Sequence, residues 1–318
     1  MPRVLVTGGT GFIGSALTNK ITADNCFELS VSVRTDVKVP GASTYHVADL
    51  SSETSWSSAL EGVDVVVHTA ARVHVMQDSS ADPLAEFRKV NVDGTLNLAR
   101  QAAAAGVKRF VFLSSIKVNG ESTAPGKAFQ PDDLPSPKDF YGISKMEAEK
   151  ALLELAQFEE MEVVVIRPVL VYGPGVKANF LSMIRWLNKG VPLPFGAIHN
   201  QRSLVFLDNL VSLIITCVDH PAAANQIFLV SDGEDLSTTQ LLERLLQALN
   251  KPSRLIPIPS RFLELMARMV GKKSLSDRLC GSLQVDISKT RGLLNWTPEV
   301  SVDRALAKTV DVFLRQGE

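Results

Sequence analysis

In Val4-Leu5-Val6-Thr7-Gly8-Gly9-Thr10-Gly11-Phe12-Ile13-Gly14, β-prone residues run straight into a glycine cluster, and apolar residues at helical spacing (Phe12, Ile13, Leu17, Ile21) follow directly. The order is strand, tight turn, helix. Gly8 is expected to take the backbone angles of the turn, Gly11 to hold no side chain against a pyrophosphate, and Gly14 to let the helix pack on the strand. The free N–H groups and dipole of that helix then face phosphates, so the stretch reads as a dinucleotide site. A glycine-rich turn can also serve packing alone, and the segments that follow discriminate between the two.

Around this stretch, 318 residues with 45% hydrophobic content suffice for one large core or two unequal ones. A formal net charge of -1 and a pI near 6.5 give no electrostatic case for nucleic acid or an anionic membrane, so any cationic surface must be local. No apolar run reaches about 18 residues, so no membrane insertion is expected. Cys26, Cys217 and Cys280 lie far apart without CxxC or Cys/His spacing, which predicts neither a disulfide framework nor a metal site. The amino terminus enters the first strand within a few residues, leaving no room for a signal peptide, and a cytoplasmic location is expected.

Phe27 to Val33 reads as a second parallel strand ending at Arg34. An acidic residue near this point usually holds a ribose 2′-OH, whereas arginine accommodates a 2′-phosphate. Arg34 and Lys38 are therefore candidate phosphate clamps that favour NADP(H) over NAD(H); the competing reading makes both solvated loop cations and gives the ribose to Asp36. A short strand at Tyr45-His46-Val47 precedes Asp49 and Leu50, expected near the adenine, and Ser51 to Leu60 is expected to be helical with Ser52 as a cap. Val63 to His68 reads as a strand buried on both faces, and the small residues Thr69, Ala70 and Ala71 would let the dinucleotide lie close. His68 and His74 read as structural, because no acidic ligand accompanies them.

One long helix is expected from Pro83 to Ala105, a strand from Lys108 to Ser115, a second long helix from about Asp139, and a strand from Val163 to Arg167 ended by Pro168. The βαβα alternation predicts an α/β Rossmann fold, a doubly wound parallel sheet. Beyond Tyr172 the elements shorten: helices at 178–187, 207–219, 237–249, 260–270 and 302–314, with strands at 204–206 and 226–230. The expected division is a dinucleotide-binding domain over 1–172 and a smaller α/β substrate lobe over 173–318, partly interleaved.

Ser115 closes a strand, and in Tyr141-Gly142-Ile143-Ser144-Lys145 the tyrosine and lysine sit four apart on one helical face. A free phenol has a pKa near 10, too high for proton transfer at neutral pH, and a neighbouring ammonium is expected to lower it. Ser115 could then hydrogen-bond a substrate oxygen while Tyr141 moves its proton.

With these residues the chain resembles the extended short-chain dehydrogenase/reductases, the NAD-dependent epimerase/dehydratase group, through TGGTGFIG, HTAA, NVDGT, FLSSIKVNG, YGISK, RPVLVYGPG, RSLVFLDNL and DISKTRGLLNWTP. The resemblance implies that Ser115, Tyr141 and Lys145 are catalytic. It also implies that Lys145 and Tyr141 touch the cofactor together with Phe12, Ile13, Asn91, Pro168 and Val171, and that the protein forms a homodimer through the two long helices. Such proteins mostly act on nucleotide-linked sugars, which places Asn179, Arg202 and Arg278, with Ser115, at a UDP-sugar. Leu170 and Leu283 depart from, or only permit, the pockets of related epimerases. Ser115-Ile116-Lys117 stands where sugar dehydratases carry Thr-Asp-Glu, which argues against dehydration. Two reactions at C4 remain. The preferred expectation is a 4-keto reductase forming UDP-N-acetylquinovosamine for surface polysaccharide; the alternative is a UDP-N-acetylglucosamine or UDP-glucose 4-epimerase.

Overall fold

A computed structural model describes residues 1–35, 37–47, 49–73, 82–269, 277 and 279–316. Seven strands, β1 (Arg3–Thr7), β2 (Glu28–Val33), β3 (Ser43–His46), β4 (Val65–His68), β5 (Arg109–Leu113), β6 (Glu162–Pro168) and β9 (Ile227–Val230), form one sheet in the order β3-β2-β1-β4-β5-β6-β9. Every pairing is parallel, with Val6 opposite Val31 on one side and Val67 on the other. The strand order reverses between β1 and β4, and in such sheets the crevice beyond the carboxyl ends at that point receives ligands.

Alternation along the strands sorts side chains to two cores. Val4 and Val6 pack with Leu17 and Ile21 of α1 (Phe12–Asp24) and with Leu210 and Ile214 of a later helix, whereas Leu5, Val66, Phe110 and Phe112 pack with Leu98, Ala102, Ala148 and Leu152. The first face is covered by α1 and α7 (Leu207–Asp219), the second by α2 (Ser57–Leu60), α4 (Thr95–Ala104) and α5 (Phe140–Leu155), with α3 (Pro83–Arg88) packed on α5. A third core joins β7 (Leu170–Tyr172), α6 (Ala178–Asn188), β8 (Leu204–Phe206), α8 (Thr238–Ala248) and the carboxyl-terminal helix Val302–Arg315. Between these last two come α9 (Ser260–Met269) and α10 (Ser288–Leu294), which makes the terminal helix α11. β7 and β8 pair in parallel as a separate two-stranded sheet.

Three local expectations need correction. Only Ser57–Leu60 of the expected 51–60 helix is helical. Ser51 and Thr54 hydroxyls bond one another and the nearby backbone, and Asn97 donates to the Ser51 and Thr54 carbonyls at 3.0 and 2.7 Å, which gives this stretch a non-helical alternative. The 83–105 helix is interrupted by a π-helical turn, Lys89–Gly94. Pro168 does end β6, as its last residue, in register with Val230. Finally β9, expected in the second lobe, completes the first sheet, and α10 had not been expected.

Candidate active site

Gly8 lies at φ +72°, and a Cβ there would sit 2.7 Å from the Ala70 amide nitrogen. At Gly14 a Cβ would fall 2.1 Å from the Gly8 carbonyl oxygen, so only glycine lets α1 begin against the turn. Gly11 is the N-cap of α1 without a side-chain cap bond, and a Cβ there would meet only Gly8 O, at 3.2 Å. A helix amino terminus with amides unclaimed by a side chain, reached over bare backbone, fits an anionic diphosphate. Phe12 and Ile13 are half-buried against the adjacent core. Thr69 donates from its hydroxyl to Thr7 O at 2.6 Å, fixing the chain that carries the half-buried Ala70 and Ala71 past the turn.

Arg34 and Lys38 are both exposed beyond β2, and the Arg34 carbonyl accepts from the His46 ring at 2.9 Å. Asp36 and His74 lie outside the described residues. Asp49 is exposed and its carboxylate accepts from the Leu50 amide at 2.8 Å. Leu50 supports the π-helical turn, where a Cβ on Gly94 would come within 2.8 Å of the Leu50 backbone. His68 is fully buried, with Nδ1 2.6 Å from Thr7 Oγ1 and Nε2 3.0 Å from Thr95 Oγ1. Burial, and secondarily Lys145, push it down to about 3, so it is a neutral tie between β1, β4 and α4. Among the described residues no cluster of His, Cys, Asp or Glu could hold a metal ion.

Ser115 N-caps a short 3-10 turn, Ile116–Val118, accepting from the Lys117 amide at 3.2 Å. That turn is joined to the start of α5 by Asp139, which accepts from the Gly142 amide at 2.7 Å and pairs with Lys117. Gly142 is needed here because a Cβ would press 3.0 Å from Lys117 O. The Ser115 turn and the Tyr141 helix are thereby built as one piece. Lys145 is buried, with Nζ donating to Leu113 O at 2.8 Å and lying 4.3 Å from the centre of the Phe112 ring. Phe87 meets the Tyr141 ring edge-on at 6.3 Å.

Burial lowers Lys145 to about 7, a shift partly opposed by Glu149, one helical turn further along α5. Burial raises the Tyr141 phenol, with Asp139 adding to the rise. The lowered phenol expected from the spacing is thus not found here, because burial, with Asp139 beside it, disfavours the phenolate.

Two positioning groups escaped the sequence reading. Glu149, 4% exposed, receives Arg167 of β6 (3% exposed) at 2.6 Å and also accepts from Ser114. Arg167 further donates to Asn119 Oδ1 and Pro131 O at 3.0 and 3.1 Å. The signal was the spacing Tyr141, Lys145, Glu149, which places all three on one face of α5. Asn91, expected at the cofactor, is buried in the π-helical turn. It brackets Arg72 through that residue's amide and carbonyl (2.8 and 3.0 Å) and donates to Ser144 Oγ at 3.0 Å. It therefore locks the chain after β4 to α5.

Of the remaining residues expected at the cofactor, Pro168 is buried at the end of β6 and Val171 half-buried in β7. The substrate-side residues are less gathered. Asn179 is exposed in the first turn of α6, following Ala178 at φ +55°. Arg202 is half-buried, bridged to Leu236 and Leu283, and donates to Gly281 O at 2.9 Å. Arg278 lies outside the described residues.

A glycine cradle at the end of β1 that fits a diphosphate, with a serine turn and a Tyr-Lys helix joined at the end of β5, is the arrangement of a dinucleotide-binding fold that carries proton-transfer groups. The match of residues 4–231 to the model of the NAD dependent epimerase/dehydratase family then makes the chain a member of that family. It is 49% identical over 317 residues to a UDP-glucose 4-epimerase from Vibrio cholerae, covering 99% of this chain and 97% of the relative. The UDP-glucose 4-epimerase structure from Thermotoga maritima, with UDP-glucose, shares the fold at a TM-score of 0.76 and 24% identity, covering 99% of this chain and 100% of that one. The UDP-glucuronic acid 4-epimerase structure from Bacillus cereus, in complex with NAD, reaches 0.79 at 19% identity, again over 99% and 100%.

Proposed function

We propose that this chain is an NAD-dependent UDP-hexose 4-epimerase, inverting C4 of UDP-glucose. The observation that carries the reading is the 49% identity, along nearly the full length of both chains, to a UDP-glucose 4-epimerase. It favours the epimerase alternative over the 4-keto reductase preferred from the sequence.

In this reading Gly8, Gly11 and Gly14 with the α1 amides hold the diphosphate of the cofactor, and Thr69, Ala70 and Ala71 line its path. Bound NAD supplies reversible acceptance and return of the C4 hydride. Tyr141 takes the proton from the sugar 4-hydroxyl and later gives it back. Ser115, whose oxygen already accepts from the Lys117 amide, has its own proton to offer to the same sugar oxygen. Lys145, held by Leu113 O, supplies the charge that steadies the phenolate. Asn179, Arg202 and Arg278 are assigned to binding the nucleotide of the substrate, residues 1–172 to the dinucleotide, and 173–318 to most of the sugar-nucleotide contacts. A cytoplasmic homodimer through α3–α4 and α5 completes the proposal.

The test is release and identification of dinucleotide from freshly purified protein. The reading expects stoichiometric NAD that does not exchange with added NADPH. Protein isolated empty and binding NADPH more tightly than NADH would overturn it in favour of the reductase.

A further inference from the structure

One side of the second lobe presents a surface that the chemistry above does not use. On α9, Phe262, Leu265, Met266 and Met269 are 53, 55, 44 and 68% exposed. Their i, i+3, i+4, i+7 spacing puts them on one helical face. The segment leading into α9 pairs with residues 193–196: Leu193 donates to Arg254 O at 3.1 Å, Ile256 to Leu193 O at 2.8 Å, and Gly196 to Ile256 O at 3.0 Å. Arg254 also reaches back to Gly190 O at 3.1 Å. The exposed Ile256 and Val191 are thereby joined to the end of α6, where Trp186 is 52% exposed and Lys189 Nζ lies 5.6 Å from its ring centre.

Charge in these segments is one-sided. Residues 186–191 and 251–269 contain Lys189, Lys251, Arg254, Arg261 and Arg268, all exposed, against the single carboxylate Glu264. The chain as a whole has a formal net charge of -1, so the cations are concentrated here. An apolar stripe of this kind on a soluble domain marks a contact surface. A second copy is a poor occupant, because a self-complementary contact would set these cations against their own images. An anionic bilayer matches both halves of the pattern. Phe, Leu and Met side chains enter the headgroup–acyl boundary, tryptophan suits the interface, and Lys and Arg meet lipid phosphates.

We propose that α9, with the adjoining 186–191 and 254–256 segments, is a docking surface for an anionic lipid bilayer. The proposal is independent of the reaction assigned above. It is tested by co-sedimentation of the full chain with phosphatidylglycerol–phosphatidylcholine vesicles and with pure phosphatidylcholine vesicles, at low and high salt. The protein is expected to bind only the anionic vesicles and to be released by salt. Arg261→Ala/Arg268→Ala should weaken binding roughly 30-fold, and Phe262→Glu/Met266→Glu should abolish it. Both variants should keep the wild-type circular dichroism and the wild-type rate on a soluble nucleotide sugar. Absence of binding, equal binding to neutral vesicles, or undiminished binding by both variants would overturn the proposal. So would a dimer that the Phe262→Glu/Met266→Glu change converts to monomer in sedimentation, since a second copy would then be the occupant.

Discussion

Two buried carboxylates are held in different ways. Glu149 on α5 is matched by a full positive charge, with Arg167 donating to it from Nε and Nη2. Asp232, just past β9, receives three neutral donors, the Phe206 amide, Asn209 Nδ2 and the Tyr172 hydroxyl, each at 2.8 Å. With no cation among those donors, burial prevails and Asp232 is pushed above the ordinary carboxylate value, while the Tyr172 phenol is raised as well. The paired carboxylate can lend its field to a neighbour, and it helps Lys145 keep its proton. The unpaired one serves as an anchor, tying β7, β8 and the start of α7 to the end of β9. The difference separates a node coupled to the proposed chemistry from one that only assembles the lobes.

The largest effect should separate the two tyrosines. Tyr141→Phe should lower kcat by about 10²–10⁴ in a coupled epimerase assay. Tyr172→Phe should leave kcat in place and cost about 1 kcal/mol of stability in urea unfolding. Next, Arg167→Met leaves Glu149 charged and buried and should cost about 3–5 kcal/mol by the same unfolding measurement. The double variant Arg167→Met/Glu149→Leu should recover most of that loss. Equal losses in the single and double variants would mean that packing, not charge, dominates the node.

Asp232→Asn should cost about 1–3 kcal/mol at neutral pH. The folded protein holds the Asp232 proton more tightly than the unfolded chain does. Stability from that group is therefore present below pH 3.8 and is lost as pH rises through the raised value. The deficit of Asp232→Asn should accordingly narrow as pH rises from 3.8, which unfolding curves at a series of pH values would show. The smallest effect is a control on α5 itself. Arg88–Glu147 has the same 2.6 Å separation as Arg167–Glu149 but is 47 and 28% exposed. Glu147→Ala should cost only about 0.2–1 kcal/mol, and less at high salt.

The first of these nodes was only half visible in the sequence. Parallel strands, the glycine turn and the Tyr141–Lys145 spacing could be read because period-2 and period-3.6 apolar patterns and glycine positions report backbone geometry directly. The π-helical turn could not, because one extra residue per turn hardly alters the apolar pattern from Pro83 to Ala104. Ser51 to Thr54 gave a false helix because hydroxyl-to-backbone bonding is not a periodic signal. Arg167 looked like the polar end of an apolar strand; its partner is 18 positions earlier on another element, and only the fold brings them together. β9 was too short to declare which sheet it would join, which is decided by its contact with β6. The substrate side was least legible, since Asn179 and Arg202 lie on separate elements whose facing is set by lobe packing.

In the proposed reaction a hydride leaves C4 and the same hydride returns to it while Tyr141 moves the proton. UDP-glucose carrying deuterium at C4, incubated with purified protein and no added reductant, tests it directly by nuclear magnetic resonance. The expected product is UDP-galactose with the deuterium still at C4, and none is expected with Tyr141→Phe on the same timescale. Loss of the deuterium to solvent, or no interconversion until NADPH and a 4-keto sugar are supplied, would contradict it.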